Sequence, residues 1–295
     1  MKFRYLLAGF VVFQSCVAQP VEKLPSNKDD NSLLWEISGN GLAKPSYLFG
    51  TFHIMCRDDI HFGKQLQSAI KQSGEVYFEM DLDDPANTLG AIFFINMKDG
   101  KTLKDLLTDV EYKRFESYFK DSLGMSLSMF QKMKPNFLEA MLYPKMMPCK
   151  NLSGVEEELI KITKDEKKEI KGFETIEFQA SVFDSIPYET QAKDLLKTID
   201  SIDAYKREFD TMLTVYKSQQ IQEIETLFNK SEFGVEDNRA LLLDNRNKNW
   251  VSQLKKILPV KNIFIAVGAG HLVGDKGLIS LLRKEGYTLR PILNK

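Results

Sequence analysis

The sequence predicts an α/β fold of the α+β kind: a central mixed β-sheet built from the N- and C-terminal thirds, with a large helical middle region packed on it. Three observations carry this. Short runs rich in aromatic and aliphatic residues lie at both ends of the chain. Between them apolar residues recur at i, i+3, i+4 and i+7, and residues 263–267 form an unbroken apolar run. With 295 residues and 43% hydrophobic content the chain can bury one large core or two modest ones, and nothing in its composition points to disorder.

The first strands come from "LLWEIS" and "SYLFGT", two apolar runs separated by "GNGLAKP", a turn rich in Gly, Asn and Pro. A helix is expected from Gly63 to Ser73, followed by a strand over "EVYFEMDL". Alternation in that strand sets Val76, Phe78 and Met80 on one face and Tyr77, Glu79 and Asp81 on the other. Residues 102–146 and 175–229 carry the helical period, for instance at Leu103, Leu106, Leu107 and Val110, with Pro135 and Pro187 at helix starts. Ile263 to Val267 read as a strand buried on both faces. "DKGLISLLRKEG" reads as a helix closed by Gly286 in the left-handed conformation, and "YTLRPI" as a final strand.

The ends of the chain also carry information. Residues 1–18 combine Lys2 and Arg4, an apolar run from Tyr5 to Phe13 and a plausible cut after Ala18, the pattern of a secretory signal. That run is too short to span a bilayer, and no later segment approaches the necessary length, so no transmembrane segment is expected. The competing reading is a lipid anchor at Cys16, against which Phe13 and Gln14 stand where such signals prefer small residues. Residues 19–32 form a polar linker, and residues 33–295 are expected to form one domain. The chain is then exported, to a periplasmic or extracellular compartment, where Cys56 and Cys149 would form a disulfide; two separate buried thiols are the alternative. A formal charge of −1, with 40 basic and 41 acidic residues interspersed, argues against nucleic acid as a partner and leaves a peptide or a small molecule.

Of only three histidines, two stand in the same Gly-x-x-His frame, "GTFH" ending at His53 and "GAGH" ending at His271. Each lies just beyond a predicted strand, and residues beyond the carboxyl ends of sheet strands converge on a crevice. Gly50, Gly268 and Gly270 are expected to supply turn conformations and close approach there. Glu79 in an apolar strand needs a partner or a cation. Two imidazoles and a carboxylate suit a divalent transition metal, Mn, Co or Zn, and hydrolysis is the chemistry such an ion promotes. Structural, hydrogen-bonded histidines are the plainer reading. His61 reads as a surface or packing residue, and Ser46, Ser153 and Ser280 lack the context of a nucleophile.

"SYLFGTFHI", "VYFEMDL", "MKPNFLEAML", "IKGFETIEFQASVFDSIP", "DNRNKNWVSQL" and "IFIAVGAGHLVGDKGLISLLRKEGYTLRPI" occur in an order that resembles the TraB/PrgY/GumN family, which includes the TIKI proteases. The resemblance runs from about Leu33 to Ile292. It implies an erythromycin-esterase-like and ChaN-like α/β fold, with metal-dependent peptidase activity in the TIKI members. It assigns the two Gly-x-x-His motifs and Glu79 to the site, with His53 and His271 as metal ligands and Glu79 as either a further ligand or the base. The family's Arg-Asn pair before a tryptophan matches Arg246, Asn247 and Trp250. Arg246 would neutralise developing charge or clamp a substrate carboxylate; alternatively it is a helix-surface residue holding Glu174. "GVEEEL" at residues 154–159 departs from an aspartate-containing run in the family, which leaves that loop without an assigned role. Relatives of the ChaN kind suggest a second class of function, a non-catalytic binder of haem or of a signalling peptide in the same crevice.

Overall fold

The computed structural model of the chain describes residues 30–84, 90, 93–230 and 238–294. The leader expected at 1–18, with Cys16, and the part of the expected linker before residue 30 lie outside the described residues. The N-terminal hairpin comprises β1 (Leu34–Gly39) and β2 (Ser46–Thr51), which runs on to a two-residue strand β3 (Met55–Cys56). Helix α1 (Lys64–Gln72) and strand β4 (Glu75–Met80) follow, as the sequence led one to expect.

The helical middle is more broken than its periodicity suggests. Residues 102–146 form the short helices α2 (Leu103–Leu106), α3 (Asp109–Tyr118), α4 (Pro135–Ala140), which starts at Pro135 as expected, and α5 (Tyr143–Met146). Gly124, left-handed at φ 70°, ends the first pair, and Pro135 and Pro144 open the second two. Strand β5 (Leu152–Ser153), helix α6 (Val155–Asp165) and strand β6 (Glu169–Glu174) come next. Four helices, α7 (Ile176–Asp184), α8 (Tyr188–Asp200), α9 (Ile202–Lys217) and α10 (Ile221–Lys230), fill the second helical stretch, with Pro187 at the N-cap of α8. A π-turn over Ala240–Asp244 leads into α11 (Asn245–Ile257). The chain closes with β7 (Ile263–Gly268), α12 (Leu278–Lys284) and β8 (Tyr287–Ile292), and Gly286 is left-handed at φ 90°.

Six strands form a mixed sheet in the order β6-β4-β7-β2-β1-β8. β1 is antiparallel to both of its neighbours, and the other pairs are parallel, so β1 alone runs against the rest. β6 corrects the expectation that only the outer thirds of the chain build the sheet. It comes from the middle and adds an edge next to β4. β7 lies at the centre, and all five residues of its apolar run are inaccessible to solvent, as a strand covered on both faces requires.

The buried hydrophobic residues separate into one cluster around the sheet and a second among the helices of the middle region, and Tyr143 packs against both. β3 and β5 pair antiparallel into a small second sheet, and Cys56 is bonded to Cys149 beside it, with Cα atoms 5.9 Å apart. Among the described residues no helix is long and apolar enough to cross a membrane.

Candidate functional site

Because β6, β4, β7 and β2 are parallel, their carboxyl ends open on one edge of the sheet. β2 ends at Thr51, which pairs with Gly268 at the end of β7, so the segments carrying His53 and His271 leave the sheet from adjacent positions. β4 brings Glu79 and β6 brings Glu174 to the same edge. All five members of the predicted set that carry charge or an imidazole, His53, Glu79, Glu174, Arg246 and His271, therefore meet in one neighbourhood.

His271 ends a single 3-10 turn, Ala269–His271, and is 3% exposed. Asn247 fixes its ring. The amide Nδ2 of Asn247 donates to the carbonyls of His271 and Lys276, at 3.3 and 2.9 Å, which leaves Oδ1 as the acceptor, 2.7 Å from His271 Nδ1. The Nδ1–H tautomer follows, and the Nε2 lone pair accepts the Nη1–H of Arg246 at 3.3 Å. Burial lowers the pKa of this histidine to about 3, so the ring is neutral across the physiological range. Asn247 thus stands behind His271 and does not face the crevice.

His53 is held differently. Its side chain is 73% exposed, and Nδ1 lies 2.7 Å from Oε1 of Glu156. The adjacent Glu156 carboxylate raises the pKa of His53 to about 9, against the opposing effect of desolvation. Since Nδ1–H faces Glu156, Nε2 is the nitrogen that gains and loses the proton. Glu156 lies in the run "GVEEEL", which the family pattern left without a role, and it is a site residue that sequence reasoning missed.

Glu79 and Glu174 share one cation. Arg246 gives Nη2–H to Glu79 Oε2 and to Glu174 Oε2, both at 2.7 Å, and its Nε–H to Glu174 at 3.0 and 3.1 Å. Trp250 Nε1–H and Gln179 Nε2–H complete the shell of Glu174, at 2.8 and 3.2 Å. Arg246 is only 12% exposed, so it does hold Glu174 but is no helix-surface residue. Its third nitrogen, Nη1, lies 3.3 Å from His271 Nε2. Burial alone would raise the pKa of Glu79; the neighbouring charges of His271, Arg246 and His53 and the Gly268 N–H outweigh it and bring it down to about 2. Of these, Arg246 and His53, whose pKa is about 9, carry full charge at neutral pH, where His271 is uncharged.

The remaining oxygen of Glu79, Oε1, accepts the Gly268 N–H at 2.8 Å and lies 3.7 Å from His271 Nε2. A methyl group placed on Gly268 would meet Glu79 Oε1 at 3.3 Å, His53 Nε2 at 3.6 Å and His271 Cδ2 at 3.7 Å. The three side chains therefore border a single space that glycine keeps open. None of Gly50, Gly268 and Gly270 has positive φ, so the expectation of special backbone angles does not hold. Close approach is the reason at each: a side chain on Gly50 would press on the Ala269 backbone at 3.1 Å, and one on Gly270 would strike Phe228.

Among the described residues no three His, Cys, Asp or Glu side chains form a ready metal-binding group. The donor chemistry suits a borderline divalent ion nonetheless: two imidazole Nε2 atoms, each with Nδ1 engaged by an oxygen behind it, and one carboxylate oxygen border the same gap. Ser46 and Ser153 are tied up elsewhere, Ser46 by the Ile263 N–H and Ser153 by Glu157 and Glu158, and His61 is exposed.

Several metalloproteases are similar to this chain. Metalloprotease TIKI1 of Danio rerio is 25% identical, over 88% of this chain and 63% of the relative, and Metalloprotease TIKI1 of Homo sapiens is 26% identical, over 90% and 63%. Metalloprotease TIKI2 of Danio rerio is 33% identical over a shorter stretch, 33% of this chain and 19% of the relative. The chain thus spans less than two thirds of the length of the curated relatives it matches. No solved structure matches it. The sequence profile of the TraB/PrgY/gumN family matches residues 33–291, and this chain belongs to that family.

Proposed function

We propose that this protein is an exported, metal-dependent hydrolase that cleaves a peptide or related amide bond, with His53, His271 and Glu79 as the residues that hold a Mn, Co or Zn ion. The observation that carries the reading is the space above Gly268, bordered by both imidazoles and by Glu79 Oε1. Its relatives named metalloproteases support the same reaction class. The disulfide fits an oxidising compartment, in agreement with a secretory leader at 1–18.

A divalent ion at such a site polarises a carbonyl and lowers the pKa of adjacent water to near 7. The protein's own residues divide the remaining work. Asn247 and Glu156 hold the two rings in the tautomer that directs Nε2 inward. Glu79, with one oxygen covered by Arg246 and a pKa of about 2, is too acidic to serve as a general base at neutral pH, which assigns it to holding the ion. Arg246, engaged by two carboxylates, fixes Glu79 in place and has little capacity left to clamp a substrate carboxylate.

The test is elemental analysis of full-length protein purified without chelators, together with peptide cleavage in added manganese or cobalt. His53→Ala and His271→Ala are expected to lose bound metal and cleavage with the circular dichroism spectrum unchanged. Full activity in either variant, or a Soret band in the purified protein, overturns the assignment; the latter would favour the haem-binding alternative.

A further inference from the structure

We infer that Glu156 is the positioning residue for His53, and that the start of α6 is a clamp that presents His53 Nε2 to the gap above Gly268. This rests on the metal-site reading above. His271 is packed on all sides, whereas His53 sits beyond a strand end with most of its ring in water. An exposed imidazole without such an anchor samples several staggered rotamers, and each one that turns Nε2 away is lost to metal binding.

The anchor is built from both chain segments. Glu156 Oε1 accepts the Thr51 hydroxyl at 2.5 Å as well as His53 Nδ1–H, so one oxygen ties the end of β2 to the residue two positions on. Thr51 is buried and Glu156 is 14% exposed. The backbone repeats the attachment: Val155 N–H donates to the Phe52 carbonyl at 3.0 Å. Gly154 comes so close that a side chain there would lie 2.7 Å from the His53 carbonyl oxygen. A carboxylate in the first turn of an eleven-residue helix is also favoured by the helix dipole.

Its two neighbours do other work. Glu157 and Glu158 bind Lys161, and Glu158 also binds Arg57. Only Glu156 of the three consecutive glutamates turns to the site. A carboxylate on the far nitrogen of a ligating histidine fixes its tautomer and increases the basicity of the near one.

The experiment titrates manganese or cobalt chloride into chelator-stripped, full-length protein by calorimetry. Glu156→Ala is expected to weaken binding about 10- to 100-fold, and Glu156→Gln, whose amide oxygen still accepts from Nδ1–H, to weaken it less. Glu157→Ala, one residue along the same turn, should bind as the parent does. The cobalt visible spectrum should change in Glu156→Ala while the melting curve of the metal-free protein keeps its cooperative form. If Glu156→Ala and Glu156→Gln bind like the parent while His271→Ala does not, the clamp is refuted and the metal site stands. If the parent itself takes up no metal, both fall.

Discussion

The indole of Trp250 lies against the imidazole of His271, ring centroids 4.4 Å apart, while its Nε1–H reaches Glu174 at 2.8 Å. The Arg246 guanidinium rests on the same indole, 4.9 Å from its centroid. One turn of α11 therefore supplies a cation, an amide and an aromatic platform to the same corner. Trp250→Phe keeps a ring beside His271 but removes a donor from a carboxylate whose side chain is only 1% exposed. The expected loss in unfolding free energy is about 1–3 kcal/mol in urea titration. An unchanged urea midpoint would show that the bond to Glu174 contributes nothing.

Arg246→Met should be more damaging. It leaves Glu79 and Glu174 buried close together without the cation both depend on, and breaking a buried ion pair from one side costs about 3–5 kcal/mol. Arg246→Lys should fall between, since a point charge cannot fork between two carboxylates. Equilibrium denaturation of all three proteins checks the order; a methionine variant as stable as the parent would contradict it.

Gly268→Ala separates fold from function. The residue has φ −49° and ψ 135°, open to alanine, so the melting temperature should change little. The added methyl enters the space between His53, Glu79 and His271, and metal uptake and cleavage should both fall by at least tenfold. Retained metal content in this variant would place the ion elsewhere.

Acid should destabilise the metal-free protein over a definable range. The pKa of His271 is lowered from 6.5 to about 3, so the unfolded chain takes up a proton on this ring that the native state refuses, and stability falls as pH drops from about 6.5 towards 3. Glu79, lowered from 4.5 to about 2, adds stability above 4.5 that is lost as pH falls through 2. His53 has the opposite sign: raised from 6.5 to about 9, its pairing with Glu156 stabilises below 6.5 and is lost as pH rises through 9. Unfolding free energy measured against pH should thus peak near neutrality, and His271→Asn should flatten the acid limb between 6.5 and 3. An acid limb identical to the parent's would mean that His271 is not the group responsible.

Much of this was legible because strong periodicity survives in sequence. The hairpin, α1, β4, β7, α12 and β8 follow from apolar pattern and turn residues, and the twin Gly-x-x-His frame points to one crevice once both frames fall at strand ends. β6 was hidden because "EIKGFE" mixes charge with apolar residues at a sheet edge, where charge protects an open strand. Gly172 stands within that strand because a side chain there would strike the backbone of Met80 and Asp81. Glu156 was hidden for another reason: three adjacent glutamates look alike as a solvated run, and only tertiary contact tells one from the next. The role of Asn247 needed its amide orientation, which no spacing conveys.

The neighbouring exits of β2 and β7 have a wider consequence. Because Thr51 and Gly268 are paired in one ladder, the spacing of the two imidazole-bearing segments is set by backbone bonds and needs no movement of separate lobes to assemble it. The helices of the middle region are an excursion from that frame, with a hydrophobic cluster of their own. Descendants of such a chain can rebuild the excursion, and with it the surface offered to a substrate, while the carpentry that aims the two rings stays untouched.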